Sequence, residues 1–211
     1  MILEFILSSV IGFILGSIPT AYILVKKKKG IDLRETGSNN IGALNSYEVS
    51  NSKLIGILVL LIDFGKGLLA VYLTKLFFEP IFLNPMLALL FAVLAHCYSP
   101  WIKFKGGRGL ATAAGGSLLF LPAILVLWML FWVIAFIFRK HIHFANIAAT
   151  FLTGAIAATS ANVLNKYSFP PADSELIYGI FTVLMLLIIL IKHKDPFKEW
   201  LNARKQIIKE R

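Results

Sequence analysis

The sequence predicts an all-α, polytopic membrane protein with about seven transmembrane helices, in a single domain that covers residues 1–211. The first observation is composition: hydrophobic residues make up 58% of the chain and the mean hydropathy is +0.78, whereas soluble domains are about 45–50% apolar. The second is the recurrence of apolar runs of about 17–25 residues, the length that crosses a bilayer. The polar stretches between these runs are too short to form a soluble domain.

Six apolar segments are candidate spans. In chain order they are Ile2–Val25, Leu54–Phe78, Phe82–Ser99, Leu110–Phe138, Phe144–Leu164 and Leu176–Ile191. The first carries Glu4 where a cleavable signal peptide has basic residues, and no small-residue cleavage site follows it. We therefore expect it to remain as the first span.

The fourth segment, Leu110–Phe138, is too long for a single span. Its 29 residues make about 43 Å of helix, against a hydrocarbon core of about 30 Å. It is either one tilted helix or two helices broken at Pro122. Two helices bring the basic loops onto one face, which then holds 18 of the 21 Lys and Arg residues. These loops are 26–53, 101–108, 139–143 and 192–211.

The positive-inside rule therefore predicts a break at Pro122, an N-terminus outside the cell and a C-terminus in the cytoplasm. The first half of the broken segment, residues 110–121, is too short to cross alone, so we expect neighbouring helices to shield it. Small residues would allow that close packing. They are Ala111, Ala113, Ala114, Gly115 and Gly116.

The formal net charge of +10 does not indicate a nucleic-acid partner. The cations lie in short loops between spans, where topology and the anionic headgroups of membrane lipids explain them. The single Cys97 excludes an intrachain disulfide and a multi-cysteine metal site. We expect no metal and no cofactor.

Asp63, Lys66 and His96 are ionisable residues inside predicted spans. Asp63 and Lys66 lie three residues apart in the second span, where a charge costs at least ~2.5–3.5 kcal/mol and usually faces a partner inside the protein. They form either a structural ion pair or part of a substrate site. His96 lies near the end of the third span, where a histidine has a packing role about as often as a catalytic role.

Two loops on the basic face carry residues suited to an anion. Glycine and Asn can take φ > 0 and turn consecutive N–H groups toward a ligand, and an Arg can give a phosphate two parallel hydrogen bonds. The first loop holds Gly37, Ser38, Asn39, Asn40, Gly42 and Asn45; the second holds Lys103, Lys105, Gly106, Gly107, Arg108 and Gly109. The Walker spacing is absent. The loops favour a substrate with a phosphate head and a lipid tail, and a transporter or a structural membrane protein are the alternatives.

Five sequence elements, in order, resemble one family. They are "LGSIPTAYIL", "DLRETGSNNIGALN", "LLIDFGKGLLAV", "AHCYSPWIKFKGGRGLATAAGG" and "LIIKHKD". On these elements the chain resembles the bacterial acyl-phosphate-dependent glycerol-3-phosphate acyltransferases, the PlsY family, over nearly its whole length. That family is seven-pass with its motif-bearing loops on the cytoplasmic side of the cell (inner) membrane.

The resemblance implies acyl transfer without a covalent enzyme intermediate. The 1-hydroxyl of glycerol 3-phosphate would attack an acyl-phosphate, giving lysophosphatidic acid and phosphate for phospholipid biosynthesis. By matching position, four residues of the first loop would cradle the donor phosphate: Ser38, Asn40, Gly42 and Asn45. Arg108 stands where the family has Lys, and His193 would lie near the acceptor as a hydrogen-bond partner or base.

The chain also departs from the family pattern. Asn39 replaces a Gly, Leu44 a Thr, Glu48 an Arg, Asn146 and Ala149 two Ser residues, and Pro196 an Asn. We expect a divergent member whose acceptor binding is rearranged, with Arg34, Lys103 or Arg108 in place of the missing Arg. The alternative is a non-catalytic or acceptor-altered protein that binds lipid phosphates.

Overall fold

The protein is built from α-helices, as the sequence predicts. The structure, a computed structural model, describes residues 1–209, and at position 199 and over 203–209 only the backbone is considered. The α-helices are α1 (Ile2–Ser17), α2 (Thr20–Lys29), α3 (Ala43–Ser50), α4 (Lys53–Phe77), α5 (Leu83–Cys97), α6 (Leu110–Phe120), α7 (Pro122–Arg139), α8 (Ile142–Thr159), α9 (Ala161–Leu164), α10 (Glu175–Lys192) and α11 (Lys194–Lys209). Short 3₁₀ turns occupy Pro100–Ile102 and Asn165–Tyr167. Residues 210 and 211 of the predicted basic C-terminal segment lie outside the described residues.

Six segments of the described chain are long and apolar enough to cross a membrane. They are Ile2–Lys29, Lys53–Phe77, Leu83–Ile102, Pro122–Arg139, Ile142–Thr159 and Glu175–Lys192. Helix α6 is a seventh apolar helix of 11 residues. The prediction of about seven transmembrane helices, one of them short, is confirmed.

The chain reverses at Pro122, so the long fourth segment is a hairpin of α6 and α7. At the start of α6, Arg108 contacts His143 near the start of α8, directly after α7 ends. At the end of α6, Phe120 O accepts a hydrogen bond from Phe169 N, in the loop between α9 and α10. The two ends of α6 therefore lie at opposite ends of the bundle, and α7 returns to the end where α6 began.

The short helix α6 is shielded by α4, and small residues allow the contact. A Cβ added at Gly67 of α4 would overlap Thr112 O, and a Cβ added at Gly115 of α6 would overlap Phe64 O. Such backbone-to-backbone packing is typical of small residues between membrane helices. The predicted shielding of residues 110–121 is present.

The first predicted span, Ile2–Val25, is not one helix, because Pro19 breaks it. Proline has no N–H to donate within a helix and clashes with the preceding turn, and Ile18 before it is extended, at φ −61° and ψ 115°. The carbonyl groups freed by the break find other donors: Ser99 Oγ donates to Ser17 O at 2.6 Å, and Lys66 Nζ donates to Ile18 O. The span resumes as α2, which ends at Gly30 in the left-handed region.

The long polar stretch between the first two spans is not only loop, since it contains α3. The sequence gives no apolar periodicity for this helix, because its residues Ala43–Ser50 are mostly polar. Helix α3 packs on α4, where a Cβ added at Gly56 would lie within 2.8 Å of Tyr47 Cβ. This packing places the loop before α3 beside the bundle.

Candidate active site

Four helix ends meet around one cleft of about 160 Å³. Residues at the starts of α3, α6 and α8 line it, and so does His193, which directly follows α10. Helix N-termini carry unpaired N–H groups and a positive partial charge, so three of them around one cleft favour an anion. The sequence predicts helices that begin near the starts of α6 and α8, but it predicts neither α3 nor the convergence of the three N-termini.

The cleft lining contains both polar and apolar residues. Eight residues predicted from the sequence line it: Asn40, Gly42, Asp63, His96, Arg108, Gly109, Asn146 and His193. Its other lining residues are Ala43, Leu44, Leu60, Leu110, Ala111, Ile142 and His143. A ligand that fits this lining has both a charged group and an apolar portion.

Asn146 and Ile189 O hold the ring of His193. His193 is 1% exposed, and its Nδ1 lies 2.8 Å from Ile189 O, an atom that can only accept, so Nδ1 carries the proton. Nε2 lies 3.5 Å from Asn146 Nδ2. Burial, together with the positive field of Arg108 and other neighbours, lowers the pKa of His193 to about 4. The ring is therefore neutral at pH 7, with the lone pair on Nε2.

Arg108 supplies the fixed positive charge. Its Nη1 lies 3.3 Å from Nδ1 of His143 on α8. Since a guanidinium only donates, Nδ1 of His143 is the acceptor and its Nε2 carries the proton. Among the side chains that the structure describes, Arg108 is the only Lys or Arg in the cleft lining.

Asp63, Lys66 and His96 form a buried group behind the cleft. Lys66 Nζ lies 2.6 Å from Asp63 Oδ1, and His96 Nδ1 lies 3.8 Å from the same oxygen. Lys66 also donates to Ile18 O, so the ion pair supports the break at Pro19. Asp63 and His96 reach the cleft wall, whereas Lys66 lines a smaller neighbouring cavity of about 10 Å³.

The second glycine loop packs tightly on His96. Gly107 N donates to His96 O at 3.0 Å, and a Cβ at Gly106 or Gly107 would overlap His96. Gly106 and Gly107 line the small cavity beside Lys66. Gly109 has φ +85° and precedes α6, a conformation that favours glycine. The glycines thus bring the chain close enough to α5 for Arg108 to enter the cleft.

The amide of Asn45 holds the backbone of the first loop in place and does not face the cleft. Asn45 Oδ1 accepts from Ser38 N at 3.0 Å, while Nδ2 donates to Thr36 O at 3.1 Å and to Asn40 O at 2.9 Å. The side chain is 1% exposed and its amide is used within the loop. Asn45 therefore shapes the cradle predicted for the donor phosphate without lining it.

Other predicted site residues lie outside the cleft lining. Gly37, Ser38 and Asn39 are exposed in the first loop. Asn39 has φ 54°, in the left-handed region, which Asn tolerates better than most residues other than glycine. Lys103 and Lys105 are exposed as well. Of the residues predicted in the first loop, Asn40 and Gly42 line the cleft.

Arg34 is committed to a local ion pair. Its guanidinium donates to both carboxylate oxygens of Asp32 and lies over the Tyr22 ring, 4.8 Å from the centroid. The hydrogen bonds from Arg34 lower the pKa of Asp32 to about 2. Of the three candidates for the missing Arg, only Arg108 lines the cleft. Glu48, which replaces that Arg, is exposed and is not part of the lining.

Sequence reasoning missed His143, which lines the cleft, and Trp132, which lies outside the lining and contacts Asn146. Trp132 of α7 donates its Nε1–H to Asn146 Oδ1 at 2.7 Å. The available signal was spacing: two Trp residues four apart in α7 face two polar residues four apart in α8. These pairs are Trp128 with Thr150 and Trp132 with Asn146.

Comparisons with known proteins place the chain in a family. The family model described as glycerol-3-phosphate acyltransferase matches residues 6–203. A glycerol-3-phosphate acyltransferase of Helicobacter pylori (strain J99) is 33% identical over 211 residues, covering 95% of this chain and 93% of its own. One from Wolbachia sp. subsp. Brugia malayi is 34% identical over 197 residues, covering 93% and 95%.

A solved structure agrees over the same length. The crystal structure of PlsY, an integral membrane glycerol 3-phosphate acyltransferase in its glycerol 3-phosphate form, superposes with a TM-score of 0.77 at 27% identity. The match covers 95% of this chain and 93% of that chain. The chain therefore belongs to the glycerol-3-phosphate acyltransferase family, as a multi-pass integral membrane acyltransferase of the PlsY type.

Proposed function

We propose that this protein transfers an acyl group from acyl-phosphate to glycerol 3-phosphate, giving lysophosphatidic acid and inorganic phosphate for phospholipid biosynthesis. The observation that carries the proposal is the mixed lining of the cleft, in which Arg108 and the starts of three helices occur together with apolar residues. An acyl-phosphate has the same division between phosphate and acyl chain. PlsY, which the chain resembles, has been crystallised in a glycerol 3-phosphate form and in a lysophosphatidic acid form.

The reaction requires that the two substrates be positioned together and that the charge on the leaving phosphate be stabilised. The acceptor 1-hydroxyl oxygen bonds to the acyl carbon, the bond from that carbon to the phosphate oxygen breaks, and phosphate leaves. Holding two anionic substrates together removes much of the entropic barrier. Arg108 and the N–H groups at the starts of α3 and α6 stabilise charge on the leaving phosphate. His193 Nε2 carries a lone pair and takes the hydroxyl proton.

Acceptor binding can be accommodated despite the departures from the family pattern. Glu48 is exposed and is not part of the cleft lining, so its carboxylate would not lie against an acceptor phosphate bound in the cleft. Arg108 and the Nε2–H of His143 are neighbouring donors, and together we assign them the role of the missing Arg. Asn146 occupies the cleft wall where the family pattern has Ser, next to His193.

We also propose that the reaction takes place on the cytoplasmic side of the cell (inner) membrane. Loop residues of the predicted basic face, namely Asn40, Gly42, Arg108 and His143, line the same cleft. The positive-inside rule puts that face in the cytoplasm. There the phosphate groups of both substrates would lie in the headgroup layer while the acyl chain stays in the bilayer.

The test is an assay of the purified protein in detergent with palmitoyl phosphate and glycerol 3-phosphate. We expect phosphate release that needs the acceptor, with lysophosphatidic acid identified by mass spectrometry. Transfer from palmitoyl-CoA but not from palmitoyl phosphate would refute the proposed donor. Phosphate release that does not need glycerol 3-phosphate would indicate an altered acceptor, and none from a folded protein would support the non-catalytic alternative.

A further inference from the structure

The break at Pro19 opens a recess between α1, α2 and the turn Pro100–Ile102. The recess has a volume of about 490 Å³, within the range of about 300–1,000 Å³ that ligand sites have. Among the residues that the structure describes, none lines both this recess and the cleft. The apolar part of its lining includes Phe13, Ile14, Ile18, Ile23, Trp101 and Ile102. The recess is therefore a separate candidate site.

The polar atoms at the wall of the recess already have partners. Trp101 Nε1 donates to Ser17 Oγ at 2.9 Å, and Ser17 Oγ donates to Ile14 O at 2.9 Å. The carbonyl oxygen of Ile18, which the helix break frees, accepts from Lys66 Nζ. Because these atoms are paired within the protein, the wall offers an occupant mainly apolar contact. A hydrocarbon chain therefore fits the recess better than a polar solute does.

One end of the recess carries positive charge. Tyr22, which belongs to the lining, accepts a hydrogen bond from Lys26 Nζ at 2.8 Å. The guanidinium of Arg34 lies 4.8 Å from the centre of the same ring, and Asp32 neutralises part of its charge. The exposed Lys103 directly follows the turn that lines the recess. With three cations and one carboxylate, this end is positive, and it lies on the predicted basic face.

The aromatic side chains indicate where the recess lies in the membrane. Trp101 is exposed on the protein surface, and both Trp101 and Tyr22 combine an apolar ring with a polar tip, as residues at the headgroup level do. A lysine near the end of a span, such as Lys26, keeps its ammonium group in the headgroup layer. The apolar part of the recess therefore faces the acyl chains, and its positive end lies where the lipid phosphates are.

We propose that the recess binds an anionic phospholipid of the surrounding membrane, with one acyl chain in the recess and the phosphate beside Lys26. Charge complementarity favours this occupant, since each Lys or Arg near the membrane surface adds to the attraction of anionic lipids. A second copy of the chain on the same face would set like cations against each other. The acyl donor is disfavoured by position, because Arg108 lines the cleft and not the recess.

The bound lipid covers the outer side of the break at Pro19. Ile18, Pro19 and Ile102 line the recess and also line the small cavity beside Lys66, so they form the wall between the two. On the inner side of this wall, Lys66 donates to Ile18 O. An acyl chain on the outer side supplies the packing that the broken helix lacks there. The ion pair and the lipid thus support the break from opposite sides.

Quenching of Trp101 fluorescence by brominated lipids tests the proposal. The purified protein is placed in vesicles of phosphatidylglycerol and phosphatidylcholine in one fixed ratio, with bromine on the acyl chains of either the first or the second lipid. The chain has four Trp residues, so Trp101→Phe, measured in parallel, gives the signal of the other three for subtraction. We expect Trp101 to associate with phosphatidylglycerol about fivefold more strongly than with phosphatidylcholine, as contact with one cation predicts.

A pair of lysine variants separates direct contact from general attraction. Lys28 is exposed on α2 and lies roughly 200° around the helix from Lys26. Lys26→Gln and Lys28→Gln each lower the net charge by one, so the general attraction of anionic lipid falls equally in both. We expect nearly equal quenching by the two lipids in Lys26→Gln, and most of the wild-type preference in Lys28→Gln.

Native mass spectrometry gives a second measurement that does not depend on fluorescence. Delipidated protein in detergent is supplied with equal amounts of the two lipids. We expect the wild type to retain one phosphatidylglycerol molecule, and Lys26→Gln to lose it under conditions in which Lys28→Gln keeps it.

Several results would overturn the proposal, and each points to another occupant or to none. Equal association of the two lipids with wild-type Trp101, or one shared preference in Lys26→Gln and Lys28→Gln, would show that the recess does not select an anionic headgroup. Displacement of the brominated lipid by palmitoyl phosphate but not by unlabelled phosphatidylglycerol would assign the recess to an acyl-phosphate. Trp101 that neither lipid quenches would mean that no lipid binds, and a dimer found by light scattering would then assign the recess to a second copy. None of these outcomes depends on the proposed acyl transfer.

Discussion

At the scale of single residues, Asn45 determines the shape of the first anion-binding loop. Its carboxamide accepts one backbone hydrogen bond and donates two, so it connects three points of a loop that has no regular structure before α3. Buried polar groups contribute in this way only when every atom has a partner. The loop conformation that carries Asn40 into the cleft therefore depends on an amide and not on a carboxylate.

Asn45→Asp tests that dependence. The substitution keeps the acceptor for Ser38 N but places a carboxylate against two carbonyl oxygens, and loses two hydrogen bonds worth about 0.5–1.5 kcal/mol each. We expect the KM for the acyl donor to rise by about 5- to 100-fold. Asn51→Asp makes the same chemical change at an exposed position after α3 and should leave KM unchanged. Equal KM values in the two variants would show that the amide does not hold the loop.

Arg108 is the second residue whose removal has a defined consequence. Arg108→Ala takes away the guanidinium in the cleft, and losing one stabilising donor typically lowers kcat by about 10²–10³-fold. Arg108→Lys should recover part of that loss, because the family pattern has Lys at this position. Lys27→Ala removes an exposed cation of α2 and serves as the control in the same kinetic assay. A loss shared by Lys27→Ala would point to overall charge instead.

The residues found from the sequence and those missed differ in how they are recognised. Arg108, Asn40 and Gly42 stood out because charge and backbone freedom beside a span are unusual. Trp132 did not, since a tryptophan in an apolar helix is ordinarily read as packing or lipid contact. Its hydrogen bond to Asn146 depends on how α7 sits against α8, and no local pattern encodes that register.

At the scale of helices, the crossing of α4 and α6 is decided by glycine. Gly67 and Gly115 allow backbone contact in both directions, which gives α6 its shielding. The sequence predicted that neighbouring helices shield this segment, because a helix over residues 110–121 cannot cross about 30 Å alone. It did not predict the break at Pro19, because the apolar run continues through the proline and the compensating donors, Lys66 and Ser99, are distant in the sequence.

Two glycines of α4 and α6, one at the crossing and one away from it, provide the test of the crossing. A Cβ at Gly115 overlaps Phe64 O, whereas a Cβ at Gly65 meets no atom within 4 Å. Gly115→Ala should cost about 1–3 kcal/mol from overpacking and lower the thermal unfolding midpoint in detergent by several degrees. Gly65→Ala should raise it slightly, because alanine is the better helix former by about 1 kcal/mol. The same midpoint in both variants would argue against a close crossing.

At the scale of the whole molecule, the number of passes follows from where the cations are. A bilayer forces each crossing to a similar length, so the sidedness of a loop depends only on how many spans precede it. Counting the hairpin at Pro122 as two passes collects the basic loops on one face, and the structure contains that hairpin. The cleft lies at this face. Which side of the membrane the face occupies is a further prediction, because charge alone assigns it.

Cysteine labelling in intact cells decides the orientation. The native Cys97 is buried, so the unmodified chain should not react with an impermeant maleimide. Arg139→Cys lies at the exposed end of α7 on the cleft face, and Asp173→Cys is exposed in the loop before α10. We expect Asp173→Cys to label in intact cells and Arg139→Cys to label only after permeabilisation. The reverse pattern would put the cleft outside, and labelling of both from outside would mean that the α8 segment does not separate the two loops across the membrane. If the expected pattern is found, the phosphate groups of the proposed substrates meet the enzyme on the cytoplasmic side, where the basic loops favour their binding.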